Sequence, residues 1–202
     1  MEALYTLVFM VITWFGLLLG YWLALINPKI PSKSVSTWRY LSYFTTQANG
    51  LIAVALTLSL VNPESRVSLF LNQPSVKASM VLYLSMLCLV YHYVYGLKNN
   101  SRLSTVSNLI FHYLVPALTL LYWLLFADKN HIEYSVIVYW IIFPALFLVY
   151  TFIHGLWSDF YPYTFVDVAK LGYRRVLTNM LCTILVFLPA GFILVLVAKI
   201  LH

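Results

Sequence analysis

The sequence predicts an all-α bundle of six transmembrane helices, and three observations carry that reading. Of the 202 residues, 62% are hydrophobic and only 9% are charged, where a soluble domain carries roughly a quarter charged. Six apolar runs approach ~20 residues, the length that crosses a hydrocarbon core. None of the runs alternates as a barrel strand does, and an open sheet edge has no place in lipid. The runs consume almost the whole chain, so 1–202 reads as a single transmembrane domain.

The first run, near 4–26, opens the chain as "MEALYTLVFMVITWFGLLLGYWLAL". It has no basic leader, its apolar stretch is too long, and no A-x-A site follows, so it reads as a span and not as a signal peptide. The others lie near 37–61, 75–97, 106–126, 134–156 and 175–201. Their connectors are polar or carry proline: "NPKIPSKSVS", "NPESRVSLFLNQP", "KNNSRLST", "ADKNHIE" and "WSDFYPYTFVDVAKLGY". Pro116, Pro144 and Pro189 interrupt the later spans, where proline removes a donor and kinks a helix. Cys88 and Cys182 sit in apolar runs without a CxxC pattern and read as packing residues.

In such a chain the net charge of +6 reports topology and not nucleic-acid binding. Lys29, Lys33, Arg39, Lys98, Arg102, Lys170, Arg174 and Arg175 flank the first, third and fifth connectors. Arg66, Lys77, Lys129 and Lys199 fall on the other side. The positive-inside rule then puts the first group in the cytoplasm and both termini outside. Short connectors fit a bacterial inner-membrane protein.

Polar residues inside the spans are the functional signal, because they face a bundle interior or a wet cavity. The second run contains "WRYLSYFTTQANGL", which places Ser42, Thr45, Thr46, Gln47 and Asn49 close together. Ser42, Thr45, Thr46 and Asn49 obey i, i+3, i+4, i+7 spacing and are expected on one helix face. Entry near Trp38 puts Thr45 roughly 10 Å deep, and entry near Val106 puts His112 roughly 9 Å deep. His92, Asn108, His154 and Asn179 come to the same level from other spans. Each hydroxyl alone reads most simply as helix-to-helix glue; their gathering at one depth argues for a site. His131 and the terminal His202 lie outside that layer.

At "TWRYLSYFTTQANGL", "SNLIFHYLVP" and "DFYPYTFVDV" the chain resembles the bacterial six-helix relatives of the androgen-induced membrane proteins. The mammalian members are intramembrane threonine hydrolases that cleave fatty acid esters of hydroxy fatty acids. The resemblance implies a Thr nucleophile early in the second span and an essential His in a later one. His112, followed by Pro116, matches the His-then-Pro pattern. Matching "YFT" puts Thr45 at the nucleophile, and reading "WRYLS" without a gap puts Ser42 there; Thr45 keeps the residue type. "FYPYTF" resembles the segment before the last span.

A hydroxyl and an imidazole make a nucleophile–base pair, since the hydroxyl needs a base to take its proton. The reading is therefore a lipid ester hydrolase without cofactor or metal, with a lipid ester as substrate and membrane lipids around it. Thr46, Asn49, His92, Asn108, His154 and Asn179 are candidates to bind substrate or stabilise an oxyanion. Two other readings stand beside it. His92, His112 and His154 with Asp159 have the ligand types of a metal site, though not HExxH spacing. A transporter or lipid-binding protein would use the same polar cavity without chemistry.

Overall fold

The apolar runs return as helices. The computed structural model describes residues 1–95 and 101–201. Six helical stretches are long and apolar enough to cross a membrane: Glu2–Leu25, Phe44–Val61, Pro74–Val94, Arg102–Leu125, Tyr134–Ser158 and Val168–Ile200. No strand occurs among the described residues, and the chain is an all-α, multi-pass membrane protein. The end of the expected third span at residues 96–97, Lys98 and His202 lie outside the described residues.

The first span, α1 (Glu2–Leu25), lies along the α-helix of the second span. It also meets the fourth span closely through Gly16 and Gly20. A Cβ on Gly16 would stand 2.6 Å from Ile110 Cγ2, and one on Gly20 would stand 2.9 Å from Phe111 Cε2. This is the close approach that a G-x-x-x-G face permits between membrane helices.

The second span corrects the expected 37–61 run. Helix α2 (Lys33–Leu41) stops at Ser42, Tyr43 is extended at φ −80°, ψ 133°, and α3 (Phe44–Val61) begins afresh. A broken helix exposes backbone groups that lipid cannot satisfy, and side chains take them up. Gln47 Nε2 donates to the freed Leu41 O at 3.1 Å, and Ser42 Oγ adds a second donor at 2.7 Å to Trp38 O, which the Ser42 N–H already meets. Tyr40 ties α2 to α1 by donating its phenol proton to Leu17 O at 2.8 Å.

A short helix, α4 (Arg66–Leu71), fills the second connector, and α5 (Pro74–Val90) follows. The third span then widens into a π-helical turn, Tyr91–Tyr95. The fourth span is α6 (Arg102–Leu109), a second π-turn at Ile110–Leu114, and α7 (Val115–Leu125). Pro116 has no N–H for the carbonyl four residues back, which is that of His112. The π-turn ends at Leu114, two residues before the proline.

The fifth span is also interrupted. Helix α8 (Ile137–Trp140) gives way at Ile141 to α9 (Ile142–Ser158). Pro144 leaves the Trp140 carbonyl without its helical donor, and the Tyr83 hydroxyl supplies one at 2.8 Å. The sixth helix, α10 (Val168–Ile200), starts seven residues before the expected 175, because Asp167 caps it by accepting Lys170 N–H at 3.1 Å. It is kinked at Gly172, whose φ of 72° suits glycine. Much of the surface of α9 and α10 is exposed and apolar, including Leu146, Val149, Leu181 and Leu185, as a lipid-facing surface should be.

Candidate functional site

Threonine in a helix usually returns its hydroxyl proton to the carbonyl four residues back. Thr6, Thr13, Thr57, Thr119, Thr178 and Thr183 all do so. Thr45 has no such outlet. It lies in the first turn of α3, Leu41 belongs to the helix before the break, and the Leu41 carbonyl is occupied by Gln47. The Thr45 hydroxyl instead lies 3.4 Å from His112 Nε2 and 3.2 Å from the Tyr163 hydroxyl. The 3.4 Å separation is long for a hydrogen bond, and catalytic bonds often tighten when substrate binds.

His112 sits in the π-turn of the fourth span and is buried. Its Nδ1 is 3.0 Å from the Asn108 carbonyl oxygen. A carbonyl only accepts, so Nδ1 carries the proton and Nε2 presents its lone pair toward Thr45. The Tyr91 ring, first residue of the facing π-turn, stacks on the imidazole at 3.8 Å and 16°. Two π-turns therefore meet at the candidate base, a placement recurrent at functional sites.

The third contributor is the connector at 159–167, which sequence reading did not assign. Thr45 N–H donates to the Tyr163 hydroxyl at 3.1 Å. The segment is held from three sides. Arg39 lies over the Phe160 ring at 4.7 Å. Tyr161 packs where a Cβ on Gly155 would stand. Asn179 Nδ2 donates to Phe165 O at 2.8 Å.

Thr45, His112 and Tyr163 share one wall of a cavity of about 180 Å³. The rest of its lining is almost wholly apolar or aromatic, reaching Tyr83, Ile141 and Phe187. Tyr83 is eight residues before Tyr91, so the cavity spans about 12 Å along the third span. Leu148 of α9 and Ile184 of α10 line the cavity as well, and Ile184 is also exposed to the surroundings.

The other sequence candidates fall in different places. Ser42 is fully buried, with its hydroxyl on Trp38 O and 2.9 Å from the Tyr150 hydroxyl. The break at Tyr43 takes it off the face of Thr45, Thr46 and Asn49, correcting the expected four-residue face. Thr46 is buried and interacts with the Tyr40 phenol. Asn49 Nδ2 donates to Thr45 O at 2.7 Å, which leaves Oδ1 buried without a partner. Asn108 serves through its carbonyl. Asn179 holds the connector and does not touch Thr45.

His92 Nδ1 lies 3.2 Å from the Tyr113 hydroxyl, and His154 Nδ1 lies 3.1 Å from Ser158 Oγ. His92, His112, His154 and Asp159 do not converge. No group of three or more His, Cys, Asp or Glu side chains is placed to hold a metal ion among the described residues.

The signals for the missed residues were thin. Tyr163 was one of many aromatic residues in the chain, and its reach to Thr45 depends on the path of the connector. The Gly16–Gly20 pair was legible as a G-x-x-x-G motif. Fold and site together define a polytopic membrane protein with a hydroxyl–imidazole pair at the wall of an apolar cavity. Comparison of the chain with protein families, with curated proteins and with solved structures finds no match.

Proposed function

We propose that the chain is an intramembrane hydrolase of lipid esters, with Thr45 as nucleophile and His112 as base. The observation that carries this is the approach of Thr45 Oγ1 to His112 Nε2 at the wall of an apolar cavity. The resemblance to threonine hydrolases of fatty acid esters of hydroxy fatty acids points to the same two residues and to that substrate class.

In this reading an acyl chain lies among Met86, Phe147 and Phe187, and the ester carbonyl carbon reaches Thr45 Oγ1. Attack forms the Oγ–C bond, moves the carbonyl π pair onto oxygen, and passes the Thr45 proton to His112 Nε2. Collapse breaks the bond to the alcohol oxygen, which takes that proton back from Nε2. Water then repeats the sequence on the acyl-enzyme and releases the fatty acid. The Asn108 carbonyl supports the imidazolium through Nδ1–H.

The Lys/Arg asymmetry supports both termini outside and Thr45 near the cytoplasmic face, and the short connectors support a bacterial inner membrane. The test is hydrolysis of a fatty acid ester of a hydroxy fatty acid by the purified protein in liposomes. Turnover lost in Thr45→Ala is the expected result. Lipid binding without turnover in the unaltered protein would leave a lipid-binding protein in its place.

A further inference from the structure

Tyr163 is the residue of the site that the reaction above does not use. Its hydroxyl accepts the Thr45 backbone N–H at 3.1 Å and stands 3.2 Å from Thr45 Oγ1. A backbone N–H can only donate, so the phenol proton points elsewhere than at that nitrogen. His112 imposes the next direction. Its Nδ1–H is committed to Asn108 O, so Nε2 must accept, and the Thr45 proton is aimed at it. Thr45 Oγ1 then offers a lone pair to the Tyr163 O–H. With the Thr45 proton directed at His112, these four contacts run one way: Thr45 N–H to Tyr163, Tyr163 O–H to Thr45 Oγ1, Thr45 O–H to His112, His112 Nδ1–H to Asn108.

The ring is fixed as firmly as its hydroxyl. It meets Tyr43 edge-on at 5.6 Å and Phe147 at 6.2 Å, and it stacks on Phe165 at 5.4 Å. A phenol held beside the nucleophile has a second use once the nucleophile's lone pair is spent in a bond to carbon. The negative oxygen of the tetrahedral species forms two bonds away from Thr45 Oγ1, on the carbon it attacks, in a cavity whose remaining lining is almost wholly apolar or aromatic. Donors already in place for a developing oxyanion are worth most where water is excluded.

We infer that Tyr163 is a catalytic residue of this site. Its O–H leaves Thr45 Oγ1 as the C–O bond forms and donates to the carbonyl oxygen as that oxygen gains the π pair. Tyr163 keeps its proton throughout; the proton released by Thr45 still goes to His112. The first turn of α3, positive in its dipole, supports the same charge. This inference rests on the hydrolase reading.

Tyr163→Phe keeps the ring and removes only the hydroxyl. Turnover is expected to fall ~10²–10³-fold in kcat, the scale for loss of one oxyanion donor, with KM little changed and the thermal midpoint retained. Tyr163→3-fluorotyrosine, a more acidic phenol and a better donor, is expected to match or exceed the unaltered kcat. A purely structural ring would tolerate Tyr163→Phe at full kcat, and that result overturns the inference while leaving Thr45 and His112 in place. A kcat lowered by fluorination would make the hydroxyl an acceptor and overturn it too. Absence of turnover in the unaltered protein removes this inference together with the reading beneath it.

Discussion

Leu41 and Thr45 are four residues apart and share no helix. The break at Tyr43 puts the Leu41 carbonyl in reach of Gln47 and leaves the Thr45 hydroxyl to face His112. In a continuous helix that carbonyl would take the Thr45 proton, as the carbonyl four residues back does at Thr13, Thr57 and Thr119, and the hydroxyl would be spent on packing. The interruption therefore keeps the Thr45 hydroxyl off the Leu41 carbonyl and turned toward His112, as the proposed nucleophile requires.

The hydroxyl, and not the shape of the side chain, should matter at position 45. Thr45→Val is near in volume and lacks the oxygen, so ester hydrolysis is expected to vanish while the protein stays folded. Thr45→Ser is expected to retain measurable turnover. Equal activity of the Val and Ser variants in a lipid-ester assay would remove Thr45 from the chemistry.

His112→Ala should lower turnover by ~10²–10⁴-fold, the usual worth of a general base. His92→Ala, His131→Ala and His154→Ala are expected to stay near the unaltered rate, because none of those rings reaches Thr45. Comparing kcat across the four folded variants checks this. A loss confined to His92 or His154 would move the base elsewhere.

Gly155 tests the connector without touching any reacting atom. A methyl group at this position overlaps the Tyr161 ring, and overpacking of this kind costs ~1–3 kcal/mol. Gly155→Ala is expected to lower the thermal midpoint and to reduce turnover by displacing the segment that carries Tyr163. Unchanged stability and turnover would show that the connector does not depend on this contact.

Orientation is open to a direct labelling experiment. With both termini outside, a cysteine at Ser101 faces the cytoplasm. An impermeant thiol reagent applied to intact cells should leave Ser101→Cys unlabelled, and permeabilised cells should show labelling. Labelling in intact cells would invert the topology.

Much of this molecule was readable from its residues, for reasons that can be traced. Span number follows from apolar length, and that is insensitive to packing. His112 stood out because an imidazole at that depth is costly without a partner. The break at Tyr43 was hidden, since "WRYLSYFTTQ" contains neither glycine nor proline. The backbone groups freed at the break are met by Gln47 and Tyr163, and the latter is more than a hundred residues away. The early start of α10 had a local signal in Asp167, whose carboxylate caps Lys170 N–H. A continuous span would put Thr45 seven residues in from Trp38; the break puts it in the first turn of α3. An unbroken helix would put Ser42 and Thr45 on one face; the break at Tyr43 separates them.

The most direct test separates those two hydroxyls by the bond that only a nucleophile forms. The purified protein is treated with a fluorophosphonate, and the modified residue is located by peptide mass spectrometry. The adduct is expected on Thr45, absent in Thr45→Ala, strongly slowed in His112→Ala, and retained in Ser42→Ala, whose hydroxyl is engaged with Trp38 O and Tyr150. An adduct on Ser42, or ester turnover that persists in Thr45→Ala, would contradict the account.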